Sequence, residues 1–369
     1  MLQWLYSLPF FKRLLHVWHK YERFITGGTL LTGFCFDLII ADRPDNPFNN
    51  FLLLTYLLVA GGLIVALNMK QMRRLEEESP AEPMLLLLMM QFLFGNLSSN
   101  LLVLYGRSGT FAGSAIFFAI LAAMLIGNEF MKSRYAHLRF TIAIYYTLVF
   151  SYLIIALPTF IFHQIGWWVF AVSGVASLLY IGVFLYAVYR FILRGKYRLR
   201  QIVEVGAYVG GIFFAFNLLY VFNIIPPVPL IMREADVYHS VSYTSGAYTL
   251  SYEKPQWYEF WRGTSGTYSI EAGKPAYCWS AVFAPTGLST QVIHSWEYFN
   301  DNTHRWEVRG RITFPINGGR NGGYRGFTAK AVTEGKWRCD VETQSGQLIG
   351  RTTFDAVAGE VPELIKIAK

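Results

Sequence analysis

Apolar residues run almost unbroken through the first 225 positions, separated only by short polar connections, and then give way to short alternating stretches. A helix needs about 20 mostly apolar residues to cross the roughly 30 Å hydrocarbon core of a bilayer. Seven stretches without Lys or Arg reach or approach that length: Phe24 to Ala41, Phe51 to Met69, Met84 to Tyr105, Phe111 to Phe130, Thr141 to Phe162, Trp167 to Tyr189 and Ile202 to Ile225. They predict a transmembrane region over residues 24–225, a membrane α-helical bundle of about seven helices. The first stretch is the weakest, being short and carrying Asp37. Ahead of it, Trp4, Leu5, Leu8, Phe11, Leu15 and Trp18 recur at helical spacing among Lys12, Arg13, His16, His19 and Lys20. Residues 1–23 therefore read as a cytoplasmic interfacial amphipathic helix, with a plain lead-in to the first crossing as the alternative. They lack the small-residue cleavage site of a signal peptide.

Lys and Arg gather on the cytoplasmic side of a membrane protein, so their placement orients the bundle. Fifteen fall in one set of segments: 12–23, 70–74, 132–139 and 190–200. The alternate loops hold two, Arg43 and Arg107. This puts the N-terminus inside, and seven crossings then put the C-terminal region on the periplasmic side of a bacterial inner membrane.

Past Ile225 the chain reads Pro226, Pro227, Val228, Pro229, which cannot continue a helix and predicts a Pro-rich linker over 226–230, an extended semi-rigid spacer. From 231 to 369 short runs rich in Tyr, Trp, Val and Thr are punctuated by Gly, Asn, Asp and Pro, predicting an all-β sandwich domain. Expected strands are Ala276 to Ala284, Gln291 to Phe299, Arg305 to Phe314, Gly326 to Val332, Lys336 to Thr343 and Leu348 to Ala356. In Arg305 to Phe314 the alternation predicts Trp306, Val308, Ile312 and Phe314 on one buried face and Arg305, Glu307, Arg309 and Arg311 on the other.

Composition agrees with this division. Hydrophobic residues make up 53% and charged residues 15%, which excludes a run of soluble domains over most of the chain. The formal net charge of +8 is concentrated in the cytoplasmic segments, so it points to the membrane and not to nucleic acid.

A resemblance enters with the residues of the last third. His294, Ser295 and Trp296, then Trp306 to Phe314, then Tyr324, Arg325, Phe327 and Lys330, then Gly335, Lys336, Trp337 and Arg338, and finally Ser345, Gly346, Gln347 and Phe354 follow one another in a distinctive order. This stretch, about a sixth of the chain, resembles the bacterial domain of unknown function 2914 family. Cys339 departs from it, standing where an aliphatic core residue is expected. The resemblance implies an extracytoplasmic module attached to membrane segments, and it implies no activity.

Several side chains are candidates for chemistry. His294 and Trp296, two apart on one strand face, would serve as a ligand platform for a sugar or lipid headgroup, or as a core tryptophan beside a satisfied histidine. The loop Asn317 to Arg325, with four glycines, offers Arg320, Tyr324 and Arg325 for an anionic group, the plain reading being a flexible connection. A nucleotide loop would need a helix to follow it, and strand residues follow. His239, His294 and His304 lack metal-ligand spacing, so neither metal nor cofactor is expected. Cys278 and Cys339, outside the membrane and 61 residues apart, are candidates for a disulfide.

Within the bundle, Asp37 would pair with Arg43 or Arg107, and Asn96 and Asn100 share a helix face with Ser99. Gly106 to Gly109 reads Gly-Arg-Ser-Gly, a tetrapeptide pattern used by rhomboid intramembrane proteases at a similar place. Their serine needs a histidine from a later crossing, none of the seven carries one, and the match reads as chance.

Two functions remain. The first is a membrane-anchored binding or scaffolding module, an accessory subunit whose partners are envelope or membrane proteins, a glycan or a lipid headgroup, and not an enzyme. The second is a transporter or a lipid- or glycan-modifying enzyme with a polar site at the outer helix ends, around Asp37, Asn100, Arg107 and Ser108.

Overall fold

A computed structural model of the chain describes residues 32–77, 84–130, 137–191, 198–244, 246–260 and 262–369. The amphipathic helix expected over 1–23 lies outside the described residues, as does the first part of the crossing expected at Phe24.

Among the described residues, seven α-helices precede the β region. The first, α1, is described over 32–40. It is followed by α2 (Pro47–Glu77), α3 (Met84–Ser108), α4 (Phe111–Phe130), α5 (Leu138–Ala156), α6 (Trp167–Phe191) and α7 (Arg198–Val221). Six of them, α2 to α7, are long and apolar enough to cross a membrane. Local chemistry sets their ends. Asn46 Oδ1 accepts the amides of Phe48 and Asn49 at 3.1 and 3.3 Å, a side-chain cap, and Pro47 begins the helix where its missing N–H costs nothing. Pro158 removes a donor from the ladder after α5, and the chain continues as a π-helical turn, Leu157–Phe162. Polar side chains in the spans bond back to their own helix. Asn68 reaches the Ile64 carbonyl at 2.7 Å and Ser173 that of Val169 at 2.8 Å, as an apolar surround requires. Phe51, Val183 and Phe214 point outward, as lipid-facing residues would, and Trp167 stands exposed at the start of α6, where aromatic side chains meet the bilayer surface.

The chain divides into two compact units. One comprises Met1–Val103, Ile120–Val149 and Ile181–Gly210, the other Leu104–Ala119, Phe150–Tyr180 and Gly211–Lys369. In the first, the Tyr145 hydroxyl donates to the Leu57 carbonyl at 3.1 Å and its ring lies 5.2 Å from that of Phe184. In the second, the Tyr105 hydroxyl donates to the Ser151 carbonyl at 2.8 Å, Phe150 stacks on Phe216 at 4.7 Å, and Phe170 stacks on Tyr220 at 3.9 Å.

The second unit also holds eleven strands: β1 (Ile231–Tyr238), β2 (Ser240–Thr244), β3 (Ala247–Glu253), β4 (Thr267–Ile270), β5 (Ala276–Phe283), β6 (Ser289–Asn300), β7 (Arg305–Asn317), β8 (Tyr324–Lys330), β9 (Gly335–Thr343), β10 (Leu348–Ala358) and β11 (Leu364–Ala368). They form three sheets, ordered β1-β5-β8, β4-β10-β9-β6-β7 and β11-β3-β2. All pairings are antiparallel except β4 with β10. The expected all-β region is present, with a third sheet added to the two of a sandwich. Strand β5 explains the arrangement. Its Cys278 packs with Trp296, Trp337, Cys339 and Phe354 of the five-stranded sheet, and Val282 with Val292 and Val341. The intervening Trp279 and Ala281 pack with Tyr238 and with Leu250 of β3. A strand buried on both faces must be mostly apolar, and β5 reads Ala-Tyr-Cys-Trp-Ser-Ala-Val-Phe.

Two expectations change. The linker residues Pro226 to Leu230, expected as an extended spacer, are buried and form part of the packing. In β7 the predicted single alternation is broken. Trp296 of β6 pairs with Gly310, but Glu297 pairs with Val308, leaving Arg309 as an extra residue. This β-bulge reverses the side-chain phase. Ile312 and Phe314 share the inner face with His294 and Val292, whereas Trp306 and Val308 lie on the outer face with Phe299 and Glu297.

Candidate functional site

The inner face of the five-stranded sheet carries a closed polar cluster. His294 and Trp296 are fully buried. His294 Nε2 lies 2.8 Å from the Ser280 hydroxyl, its Nδ1 lies 3.0 Å from the Thr328 hydroxyl, and Trp296 Nε1 donates to the same Thr328 oxygen at 3.0 Å. Burial pushes the His294 imidazole down to about 3, so it is neutral. Together these contacts satisfy an obligatory set of buried polar atoms. Of the two readings of His294 and Trp296, the burial agrees with the core tryptophan beside a satisfied histidine and not with a ligand platform, since neither side chain reaches solvent. Beside them Cys278 and Cys339 are joined, their Cα atoms 6.4 Å apart, linking β5 to β9 and so one sheet to the next.

The outer face of the same sheet carries charge. Arg338 donates to Glu297 Oε2 at 2.9 and 2.6 Å and lies 4.4 Å from the Trp306 ring centroid. Arg351 donates to both carboxylate oxygens of Asp340, and Arg311 to Glu342 at 2.8 Å. The three carboxylates lie close enough to hold a cation, but each is already met by a guanidinium, so the cluster is an ion-pair network. Burial raises the pKa of Glu342, and Arg311 partly opposes the shift.

The glycine-rich loop does not gather its arginines. Arg320 lies over the Tyr324 ring at 5.3 Å, and Tyr324 packs on the inner cluster containing Val282. Arg325, next along β8 and opposite Ala281, points to the other face. The expected anion site over Arg320, Tyr324 and Arg325 is thus split across a strand.

In the first unit Asn49 and Asn100 exchange side-chain hydrogen bonds of 3.1 and 2.7 Å, and Asn100 also donates to Asp37 at 3.4 Å. Asp37 is therefore held by an amide, while Arg43 pairs with Asp45 at 3.4 Å. Asn96 turns back to the Phe92 carbonyl at 2.7 Å and stands apart from the Asp37 cluster.

Arg107 and Ser108 belong to the second unit. Ser108 is fully buried. Arg107 lines an open cleft of about 430 Å³ where the β strands meet the end of α3 and the turn into α4. Arg233 of β1 and Arg351 of β10 line the same cleft, with Ile231, Met232 and Ile349 as its apolar wall. Two β-bulges shape it. Between Met232 and Glu234 the register against β5 slips, leaving Arg233 as the extra residue, and between Leu348 and Gly350 it slips against β9, leaving Ile349. Bulges re-aim side chains, and both extra residues face the cleft. Glycine permits the seating around it. A Cβ on Gly109 would come within 2.8 Å of Pro226, and one on Gly350 within 2.5 Å of Met232.

Arg233 and Arg351 escaped the sequence reading because they lie more than a hundred residues from Arg107 and from each other, and neither bulge leaves a mark in composition. The same holds for the loop before β4, where Trp257 and Phe260 are 89% and 86% exposed.

A further polar site sits at the corner between β1 and β2. His239 Nε2 lies 2.8 Å from Glu253 Oε1, which also accepts the Ser269 amide at 2.6 Å. Burial alone would raise the Glu253 pKa, but these hydrogen bonds outweigh it and the net shift is downward.

Residues 289–356, from β6 to β10, match the family described as Protein of unknown function (DUF2914). No curated protein matches the chain. One solved structure, the alkylpurine DNA glycosylase AlkC of Pseudomonas fluorescens bound to DNA containing an abasic site analog, aligns over 84% of this chain and 99% of that one. It is 10% identical with a TM-score of 0.19, and nothing follows from so low a score.

Proposed function

We propose that this multi-pass membrane protein sits in the bacterial inner membrane and presents its β domain, residues 231–369, in the periplasm as a binding or scaffolding module of a larger membrane assembly. The observation that carries this reading is the seating of the strands on the helix ends inside one compact unit. Gln347, in the hairpin between β9 and β10, donates to the Ile225 carbonyl at 3.1 Å, and a Cβ on Gly113 of α4 would come within 3.4 Å of Leu348. A module fixed in this way is displayed in a defined pose and does not swing on a tether. The side of the membrane follows from the excess of Lys and Arg in the alternate segments, and a disulfide between Cys278 and Cys339 suits an oxidising compartment. Exposed Trp257 and Phe260 supply the aromatic surface enriched at protein interfaces.

Two experiments test the reading. A periplasm-dependent reporter fused after Lys369 should be active, and activity only from a cytoplasm-dependent one would reverse the topology. Crosslinking in intact cells should recover a defined partner set that Trp257→Ala with Phe260→Ala depletes. A partner set unchanged by that substitution would remove the loop from the interface.

A further inference from the structure

We infer that the cleft lined by Arg107, Arg233 and Arg351 binds the phosphate of a membrane phospholipid headgroup, a site that goes beyond the presentation of a partner and stands whether or not one is captured. Position is the first argument. Arg107 lies in the last turn of the span Leu85–Ser108, and Phe111, 81% exposed, opens the next span, so the cleft faces the level at which lipid headgroups lie. Chemistry is the second. Three arginines line it, one from a helix end and two from different strands, and the Arg233 guanidinium lies over the Phe283 ring at 5.4 Å. Arginine is the side chain best suited to grip phosphate, because its planar fork meets two oxygens at once. Asp340 occupies only part of the Arg351 fork, and five N–H donors leave some for a second anion. Shape is the third argument. A volume of about 430 Å³ exceeds what a bare phosphate fills and lies in the range of small-molecule sites. Ile231, Met232 and Ile349 offer apolar surface for a glycerol backbone and the roots of acyl chains. The two bulges place Arg233 and Ile349 on this lining, at a sacrifice of regular strand pairing that a closed sheet edge would not need.

The test uses the full chain, delipidated in mild detergent and titrated under native mass spectrometry with phosphatidylglycerol, with diacylglycerol as its phosphate-free counterpart. Phosphatidylglycerol should be retained in preference to diacylglycerol. Arg107→Gln with Arg233→Gln should weaken that retention roughly tenfold or more, the scale of losing charge-assisted hydrogen bonds. Arg320→Gln, away from the cleft, should leave it unchanged. Equal retention of diacylglycerol, wild-type retention by the double variant, or an equal loss in Arg320→Gln would overturn the proposal. Inorganic phosphate competing at concentrations comparable to the lipid would overturn the lipid assignment and leave a site for free phosphate. If the double variant does not fold, Arg107→Lys with Arg233→Lys keeps the charge and removes the fork. A partial loss is then expected, and undiminished retention overturns the proposal.

Discussion

The side-chain amide of Gln347 donates to the backbone carbonyl of Ile225 at 3.1 Å, joining two buried residues 122 positions apart. One ends the segment that leaves α7, and the other lies in the hairpin of the family-like region. Replacing Gln347 with Ala leaves that carbonyl buried without this donor, at a cost of about 1–3 kcal/mol. Thermal denaturation of the full chain in detergent should show the loss, and limited proteolysis should show faster cleavage near residues 226–230. An unshifted transition with unchanged cleavage would mean that apolar contacts alone hold the strands in place.

Arg338 is packed between the Trp306 ring and the Glu297 carboxylate, and Glu297 is only 7% exposed. Arg338→Ala removes the cation and strands a nearly buried carboxylate, which costs roughly 3–5 kcal/mol. Combining it with Glu297→Gln should recover part of that, since the stranded charge is then gone. A double-mutant cycle by chemical denaturation gives the coupling, and a cycle that closes to zero would show the pair to be independent.

The bond between Cys278 and Cys339 closes a loop across the sheets with a sequence separation of 61. Chain-entropy arguments put its contribution at about 4 kcal/mol. Reduction, or Cys278→Ala with Cys339→Ala, should lower the denaturation midpoint accordingly, with intact mass before and after reduction confirming the bond. Two free thiols in the native protein would contradict it.

His294 gives a pH dependence with a defined sign. Its folded pKa is pushed down to about 3, against 6.5 for the ordinary imidazole, so the unfolded chain binds the proton more readily between these values. Its neutral form supports the fold fully above about pH 6.5, and that support falls away toward pH 3. At about 1.36 kcal/mol per unit the whole window is worth about 5 kcal/mol. His294→Gln should be less stable at pH 7.5 yet lose less on moving to pH 4.5. Parallel losses in the two proteins would show that the histidine does not titrate as its surroundings imply.

The helices were legible because twenty consecutive apolar residues have few alternatives, and the break at Pro226 was legible because proline removes the donor that a helix needs. The six strands from Ala276 onward were visible through alternation. Strands β1 to β4 and β11 were not singled out. Ile231 to Tyr238, carrying Arg233, Glu234 and Asp236, does not alternate, since a bulge interrupts it. Cys278 and Cys339 could be proposed as a pair because they are few. Burial of His294 could not be read, because the hydroxyls that satisfy it, Ser280 and Thr328, lie on two other strands and reach it only through sheet order. The cleft failed for the same reason: three arginines distant in sequence converge only when the strands are seated.

The extra residue at Arg309 gives β7 two reading frames, one from Arg305 to Val308 and another from Gly310 onward. Insertions and deletions in a strand are usually judged by the length they add or remove. Here a single deletion at 309 would remove the bulge and keep every pairing on either side of it, so Trp306 would stay opposite Phe299 on the outer face, against Arg338. Sequence comparison through this strand therefore has to count positions before it compares side chains: a relative lacking one residue at this point is expected to alternate without interruption and keep the outer charged face, whereas one that keeps the count is expected to show the same reversal of phase.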